Sequence, residues 1–330
     1  MRVLSDQERY FLIDLIREQH PLKQGLKHSV LNSWAANIEY ILRGNTVMFR
    51  TRMLGLFRLF RFELPFTAEV CVILGELLAL GELPTTTEIV LGFLSILFIS
   101  ATSLILNDYF DIESDKINAP ERPLPAGLVT ERDVVLLSIV VTMLGFITGY
   151  LISLEALLVV TLVWAVGFLY NWRSKKAGFI GNLMVSFSVG MTFVFGGIAV
   201  GKPFENIVWF FAIIVMLINL GEKIAADAMD LEGDRQVGSR SLALVLGREN
   251  ALKLSGATFL LVVVASSLPF LLGWLEWIYL FPILLMDVVI LYSTSKLLDP
   301  RIVNRRIYIR WIYLSGLMVF LIFIIIRMVR

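Results

Sequence analysis

The segment Ile89–Leu106 contains no charged side chain. Its length suits a helix crossing a hydrocarbon layer of roughly 30 Å. Eight further apolar runs occur, at residues 65–81, 134–152, 154–170, 180–200, 207–224, 254–273, 277–295 and 311–327. Only 17% of the residues are charged, which is low for a soluble chain. Alternation with a period of two is missing, which argues against strands. The sequence therefore predicts an all-α, polytopic membrane protein with nine transmembrane helices.

The distribution of positive charge predicts how these helices are oriented. If the N-terminus lies in the cytoplasm, 25 of the 29 Lys and Arg residues fall on the cytoplasmic side. Such an asymmetry is typical of cytoplasmic loops. We therefore expect an integral, multi-pass membrane protein with its N-terminus and its long loops in the cytoplasm and its C-terminus outside.

Residues 1–57 differ in character from the nine-helix domain expected at 58–330. The stretch "DQERYFLIDLIREQH" has apolar positions at helical spacing, which fits an amphipathic helix at the membrane interface. A solvated N-terminal helix or a partly ordered tail fits it equally well. The formal net charge of +1 gives no electrostatic case for nucleic acid as a partner. Cys71 is the only cysteine, so a disulfide framework and a thiolate metal site are excluded. The sequence does not indicate an oligomeric state.

Two acidic motifs follow the second and sixth apolar runs. The first motif has Asp108, Asp111 and Asp115. The second motif repeats the same spacing with Asp227, Asp230 and Asp234. On a helix these offsets place all three carboxylates on one face. We expect two helical ends that continue out of their spans and face each other across a central cavity. The loops after helices 2 and 6 would form a cytoplasmic cap.

Oxygen ligands without His or Cys suit a hard cation such as Mg²⁺, which is commonly shared between a few carboxylates and substrate phosphate. Cations lie near both motifs in the sequence, as a diphosphate site would require. They are Lys116, Arg122, Arg173, Lys175, Lys176, Lys223, Arg235 and Arg240. Solvated charge beside a membrane is the simplest alternative. A cation transporter with the acids as ion sites is another, although transporter ion sites lie near the middle of the bilayer.

Three segments resemble the UbiA-type membrane prenyltransferases. They are "NDYFDIESDKINAPERPLPAG", "YNWRSKKAGFIGNL" and "DAMDLEGDRQVGSRSLALVLG". The resemblance implies nine helices around a central cavity and Mg²⁺-dependent transfer of a prenyl group from a prenyl diphosphate to a hydrophobic acceptor. The first and third segments are most similar to branches that use geranylgeranyl diphosphate. The implied acceptor is an aromatic or quinone precursor or a glycerol ether lipid.

The resemblance also implies roles for individual residues. Two Mg²⁺ ions would be held by Asn107, Asp108, Asp111 and Asp115 and by Asp227, Asp230 and Asp234. Diphosphate would contact Asn107, Lys116, Arg122, Arg173, Lys175, Lys176 and Lys223. The implied catalytic residues are Asp115, Tyr170 and Asp227, with Asp115 taking a proton from the acceptor and Tyr170 near the reacting carbon.

The chain departs from the family pattern at two points. In the family, a Lys often precedes the second motif; here that position is Ala226, and Lys223 could substitute for the missing Lys. The first span has Arg61 nearby but lacks the Asn that is common in the family. These departures leave a non-catalytic binder of prenyl lipids as a further alternative.

Overall fold

The computed structural model describes residues 49–61, 66–236 and 240–329. The chain divides into two compact units, Met1–Phe57 and Arg58–Arg330. In the first unit, residues 49–57 are helical. The expected interfacial helix near residues 6–20 lies outside the described residues. All further description concerns the second unit.

Within its described ranges the second unit is helical and contains no strand, which confirms the predicted all-α class. The helices are α1 Phe66–Leu80, α2 Thr86–Phe110, α3 Ile112–Asn118, α4 Glu131–Ile152, α5 Leu154–Trp172, α6 Phe179–Ala199, α7 Asn206–Met229, α8 Leu231–Gln236, α9 Leu242–Leu246, α10 Arg248–Ala265, α11 Leu268–Leu271, α12 Leu280–Leu298 and α13 Arg306–Val329. Short 3₁₀ turns occupy Ser174–Lys176 and Trp277–Tyr279.

Eight helical segments in the described part of the chain are long and apolar enough to cross a membrane. They correspond to α2, α4, α5, α6, α7, α10 with α11, α12 with its preceding turn, and α13. The first predicted span corresponds to α1, which has 15 residues. The seventh predicted span is divided between α10 and α11, with Pro269 in the first turn of α11. Proline lacks an amide hydrogen and favours a helix start, which accounts for the new helix there.

Side-chain caps explain where two of the spanning helices begin. Thr85 accepts a hydrogen bond from the amide of Glu88, whose carboxylate accepts one from the amide of Thr85. Thr130 and Asp133 form the same reciprocal pair at the start of α4. Both capping boxes satisfy amide groups that an α-helix leaves without partners in its first turn.

Glycines allow α1 and α6 to approach until their backbones touch. A Cβ atom at Gly75 would lie 2.5 Å from the Phe193 carbonyl oxygen, and one at Gly196 would lie 2.3 Å from the Val72 carbonyl oxygen. Small residues at such contacts are a common means of close helix packing in membranes. The pair α1–α6 borders the cavity described below, α2 packs on α4 and α5, and α13 returns to α1 and α7.

We expect Gly196→Ala to lower the free energy of unfolding by about 1–3 kcal/mol, because the added methyl group must separate two backbones. Gly316→Ala in α13 is the matched control, since a Cβ atom there meets no atom within 4 Å. Thermal unfolding of the purified variants in detergent measures the difference. Equal melting temperatures for the two variants would contradict the close α1–α6 contact.

Candidate active site

The first acidic motif is a helix interrupted at its middle aspartate. α2 ends at Phe110, Asp111 adopts φ −96° and ψ 5°, and α3 begins at the next residue. Backbone hydrogen bonds continue across the junction, from the Asp111 amide to the Asn107 carbonyl (2.9 Å) and from the Asp115 amide to the Asp111 carbonyl (2.8 Å). The helical end beyond the second predicted span therefore contains one non-helical residue, Asp111. Aspartate has a short polar side chain that competes for backbone hydrogen bonds, so it tolerates such a junction.

The second motif has the same local fold. α7 ends at Met229, Asp230 adopts φ −99° and ψ 15°, and α8 follows directly. The Asp230 amide donates to the Ala226 carbonyl at 3.0 Å, and the Asp234 amide donates to the Asp230 carbonyl at 2.9 Å. The repeated spacing in the sequence thus corresponds to a repeated backbone geometry.

Three cations from separate parts of the chain neutralise the first motif. Asp108 is fully buried and pairs with Arg61, and the Arg122 guanidinium lies 3.6 Å from the Asp108 carboxylate. Arg122 also donates to Asp115 at 2.5 Å, and Lys175 donates to Asp111. A buried carboxylate without such partners would be strongly destabilising.

The pKa of Arg122 reflects this environment. Partial burial lowers the pKa of the guanidinium, but the hydrogen bond and charge of Asp115 outweigh burial, so the net shift is upward. Arg122 is therefore held in its charged form. A cation fixed in this way can exchange a carboxylate partner for a phosphate oxygen without a change of protonation.

The second motif has hydrogen-bond partners on two other helices, α6 and α13. The Asn182 side-chain amide of α6 donates to Asp227 at 2.7 Å, whereas Asp230 pairs with Arg306 at the start of α13. Behind Asn182, the Ser186 hydroxyl donates to the Asn182 carbonyl at 2.8 Å and contacts the Asn219 side chain at 3.1 Å. Sequence reasoning assigned no role to Asn182 or Arg306.

Tyr170, near the end of α5, lies in the vicinity of both motifs. The charges of Asp111 in the first motif and Asp227 in the second both act on this side chain. Asn107 donates to the Asn171 side chain at 3.0 Å, and Asn171 in turn donates to the Ser103 carbonyl at 2.9 Å. The end of α5 thus lies between the two motifs.

An apolar cavity of about 460 Å³ lies next to Tyr170. Its polar end has Asn107, Tyr170, Asn171 and Lys223, and its wall includes Trp164 and Phe168, whose rings stack with centroids 5.6 Å apart. The lining along α6 runs from Met184 to Thr192, eight residues or about 12 Å along the helix axis. The cavity therefore joins a polar end to a mainly apolar interior.

Other predicted site residues lie outside this arrangement. Lys116 pairs with Glu113 at 2.7 Å on an exposed surface, and Arg173 is exposed at the C-terminal end of α5. The side chain of Lys176 lies outside the described part of the structure. Their predicted contacts with diphosphate remain predictions.

The carboxylates fit a magnesium site that substrate completes. Asp108 and Asp234 each have one carboxylate oxygen that is shielded from solvent and lacks a hydrogen-bond partner among the described residues. Within the same residues, no three His, Cys, Asp or Glu side chains converge closely enough to hold a metal ion by themselves. An oxygen-only donor set without a complete protein cage is characteristic of Mg²⁺ bound together with phosphate.

The family model described as "UbiA prenyltransferase family" matches residues 69–326. The chain belongs to the UbiA prenyltransferase family. Among curated relatives of this UbiA-family chain, digeranylgeranylglyceryl phosphate synthase of Thermococcus gammatolerans is 35% identical over 226 residues, which are 68% of this chain and 80% of that protein. The enzyme of the same name from Pyrococcus furiosus is 31% identical over 239 residues, 72% of this chain and 85% of that protein.

Solved structures agree with this assignment. One, described as giving insight into digeranylgeranylglyceryl phosphate synthase in membranes, has a TM-score of 0.73 at 28% identity and covers 83% of this chain and 98% of its own. A UbiA homologue from Aeropyrum pernix has a TM-score of 0.70 at 21% identity, covering 81% and 98%. An Archaeoglobus fulgidus homologue bound to DMAPP and Mg²⁺ has a TM-score of 0.61 at 20% identity, covering 84% and 100%. The last two likenesses show the fold alone.

Gly178 provides a test of how the cytoplasmic connections support the site. This residue has φ +62°, and a Cβ atom there would lie 1.8 Å from the Arg240 carbonyl oxygen, in the segment that follows the second motif. We expect Gly178→Ala to displace the connection that carries Lys175 and to lower prenyl transfer by about tenfold or more, since small displacements of positioning groups are costly.

Gly127→Ala is the matched control for Gly178→Ala. Gly127 also has a positive φ of +70°, but a Cβ atom there meets nothing within 4 Å. Initial rates with saturating substrates measure both variants. Equal losses of activity would mean that backbone strain alone, and not the contact with Arg240, limits function.

Proposed function

We propose that this protein transfers a geranylgeranyl group from its diphosphate to a hydroxyl of a glycerol ether phosphate and releases diphosphate. The observation that supports this proposal is the position of Tyr170, which lines a mainly apolar cavity and lies in the vicinity of Asp111 and Asp227 from the two motifs. Such a site suits a substrate with one strongly anionic end and one extended apolar chain.

The acceptor is inferred from the product that names the relatives. Digeranylgeranylglyceryl phosphate carries two geranylgeranyl groups on one glyceryl phosphate. An enzyme that makes it by one transfer needs an acceptor that already carries the first group and has a free hydroxyl. The proposed acceptor is therefore a geranylgeranylglyceryl phosphate, an ether lipid with its own phosphate headgroup.

We further propose two Mg²⁺ ions, one at each motif. The residues that would hold them are Asn107, Asp108, Asp111 and Asp115, and Asp227, Asp230 and Asp234. When bound, Mg²⁺ supplies charge neutralisation and Lewis-acid assistance to the departing diphosphate. Arg61, Arg122 and Lys175 already lie on the first three carboxylates. When the carboxylates bind Mg²⁺, these cations would be free to form hydrogen bonds with diphosphate oxygens.

The apolar wall of the cavity protects the reaction. Loss of diphosphate leaves positive charge on the first carbon of the prenyl group, and water at that carbon would divert the reaction. Trp164, Phe168 and Tyr170 line the cavity, and aromatic rings can stabilise a nearby cation. The protein itself would contribute to the reaction in two ways. The cavity walls exclude water, and the charged groups near its polar end are already in place.

Proton transfer from the acceptor is assigned to Asp115 in this proposal. Asp115 is almost fully buried and paired with Arg122, so it stays close to the diphosphate end of the site. Asp227 is proposed to position the reacting groups with Tyr170.

The two departures from the family pattern have nearby substitutes. Arg61 reaches the first motif by pairing with Asp108. Lys223 lines the cavity mouth and lies close enough to Asp227 to lower the energetic cost of its charge. Both placements support catalysis over binding alone.

The complete architecture belongs to the same proposal. We propose that α1 is the ninth membrane helix. Long connections after α2 and α7 would form the cytoplasmic cap, with the N-terminus inside and the C-terminus outside. The two acidic motifs end their helices and do not lie at mid-span, which disfavours a transporter.

Replacing Asp108 by Asn tests the proposed function. This nearly isosteric change removes a buried charge at the first motif. We expect the rate of prenyl transfer to fall by on the order of 100-fold or more. Such a loss exceeds the one typical of residues that only hydrogen-bond to metal ligands. Product formation from geranylgeranyl diphosphate and geranylgeranylglyceryl phosphate is measured by mass spectrometry, with and without EDTA.

Glu113→Gln is the control for Asp108→Asn, because Glu113 belongs to the neighbouring helix α3 and is exposed beside Lys116. It should retain wild-type activity. Turnover that persists in excess EDTA, or an active Asp108→Asn variant, would refute the metal-assisted mechanism.

A further inference from the structure

Two arginines contact the end of α7 that carries the second motif. Arg306, the first residue of α13, pairs with Asp230. Arg248, the first residue of α10, donates through Nε to the Ala228 carbonyl at 2.9 Å. Both guanidinium groups therefore lie at the C-terminal end of α7.

The neighbours of these arginines hold the two elements together. Arg305 is almost fully buried, donates to the Ile302 carbonyl at 3.2 Å and contacts the Glu249 carboxylate at 3.4 Å. Glu249 follows Arg248, and Arg305 precedes Arg306. This contact links the start of α10 to the start of α13, at the residues next to Arg248 and Arg306.

Both guanidinium groups retain donors for a ligand. Arg306 is 61% exposed and uses one terminal nitrogen toward Asp230, and Arg248 is exposed and uses Nε. No other hydrogen bond involves their remaining nitrogens within the described ranges. An Arg side chain binds phosphate with two parallel hydrogen bonds, so two of them form a suitable site for a doubly charged phosphate monoester.

The cations of the site therefore fall into two groups. Arg61, Arg122 and Lys175 contact the first motif, whereas Arg248 and Arg306 lie at the second. The proposed reaction has two anionic groups, the diphosphate of the donor and the phosphate of the acceptor. The acceptor's hydroxyl and phosphate are carried by the same three-carbon glycerol, so its phosphate must lie close to the motifs when the hydroxyl reacts.

We propose that Arg306 and Arg248 bind the phosphate monoester of the acceptor and give the enzyme its preference for a phosphorylated acceptor. This inference rests on the proposed function for the identity of the acceptor. Asp230 orients Arg306 before the acceptor arrives. The first-motif cations serve the diphosphate, so the two substrates are held by different groups of residues.

Kinetics of Arg306→Gln and Arg248→Gln test the assignment. We expect each change to raise KM for geranylgeranylglyceryl phosphate by about tenfold or more, the loss typical of a hydrogen bond to a charged group. KM for geranylgeranyl diphosphate should stay within about twofold of wild type. The loss of kcat/KM should be much smaller with the dephosphorylated acceptor than with the phosphorylated one, so the preference for the phosphorylated form should fall.

Arg301→Gln is the matched control, because Arg301 belongs to the same connection but makes a two-pronged pair with Asp299 at 2.9 and 3.0 Å. It should leave both KM values unchanged. Arg306→Lys keeps the charge without the fork and should give an intermediate KM for the phosphorylated acceptor. This variant also decides the question if Arg306→Gln fails to fold.

Calorimetric titration of the full chain with glycerol 1-phosphate separates this inference from the proposed function. Saturable binding to wild type and Arg301→Gln, lost in Arg306→Gln, supports the phosphate site. A wild-type enzyme that binds glycerol 1-phosphate in this way but does not turn over the phosphorylated acceptor would refute the proposed function alone. Binding that is undetectable, or equal in wild type and Arg306→Gln, would overturn the phosphate site. An increased KM for the prenyl diphosphate would overturn it too, by placing Arg306 in the donor site.

Discussion

Mutual repulsion among carboxylates is the constraint on which the rest of the site depends. Each of two helix ends carries three aspartates, and the middle aspartate of each motif is a single non-helical residue between two helices. The charges are balanced by cations from distant positions: Arg61 before α1, Arg122 after α3, Lys175 between α5 and α6, and Arg306 at α13. The same pairs therefore fasten the ends of several helices to one another. Because each cation is held by a carboxylate, it is in place before an anionic substrate arrives.

The cavity gives this charged region a chemical use. Its polar end lies at Asn107, Tyr170 and Lys223, and its interior is apolar along α2, α5 and α6. α1 and α6, which contact each other closely through Gly75 and Gly196, both contribute residues to its lining. An anionic headgroup requires polar surroundings and a long hydrocarbon chain requires apolar ones. The polar end of the site suits the headgroup, and the apolar interior suits the chain. This division explains why a membrane enzyme places its polar chemistry at the ends of its spans.

The sequence predicts the parts of this arrangement that depend on local pattern. Run length identifies eight of the nine predicted spans among the described residues, and the repeated aspartate spacing identifies both motifs. The non-helical residues Asp111 and Asp230 could not be predicted, because backbone hydrogen bonds continue across them and the spacing fits an unbroken helix equally well. Pairings such as Arg61 with Asp108 or Arg306 with Asp230 join residues 47 and 76 positions apart. Only the packing of the helices decides those partners. The short helix at Leu268–Leu271 had a local signal, Pro269, within an otherwise continuous apolar run.

The central claim is that both motifs together hold one diphosphate. Metal binding tests this claim most directly. Mn²⁺ can replace Mg²⁺ as a paramagnetic probe, and its binding is followed by electron paramagnetic resonance with and without inorganic diphosphate. A shared site predicts that diphosphate strengthens Mn²⁺ binding to wild type and that Asp108→Asn and Asp234→Asn each abolish this strengthening. If diphosphate still strengthens Mn²⁺ binding after either substitution, the two motifs act separately and the claim is wrong.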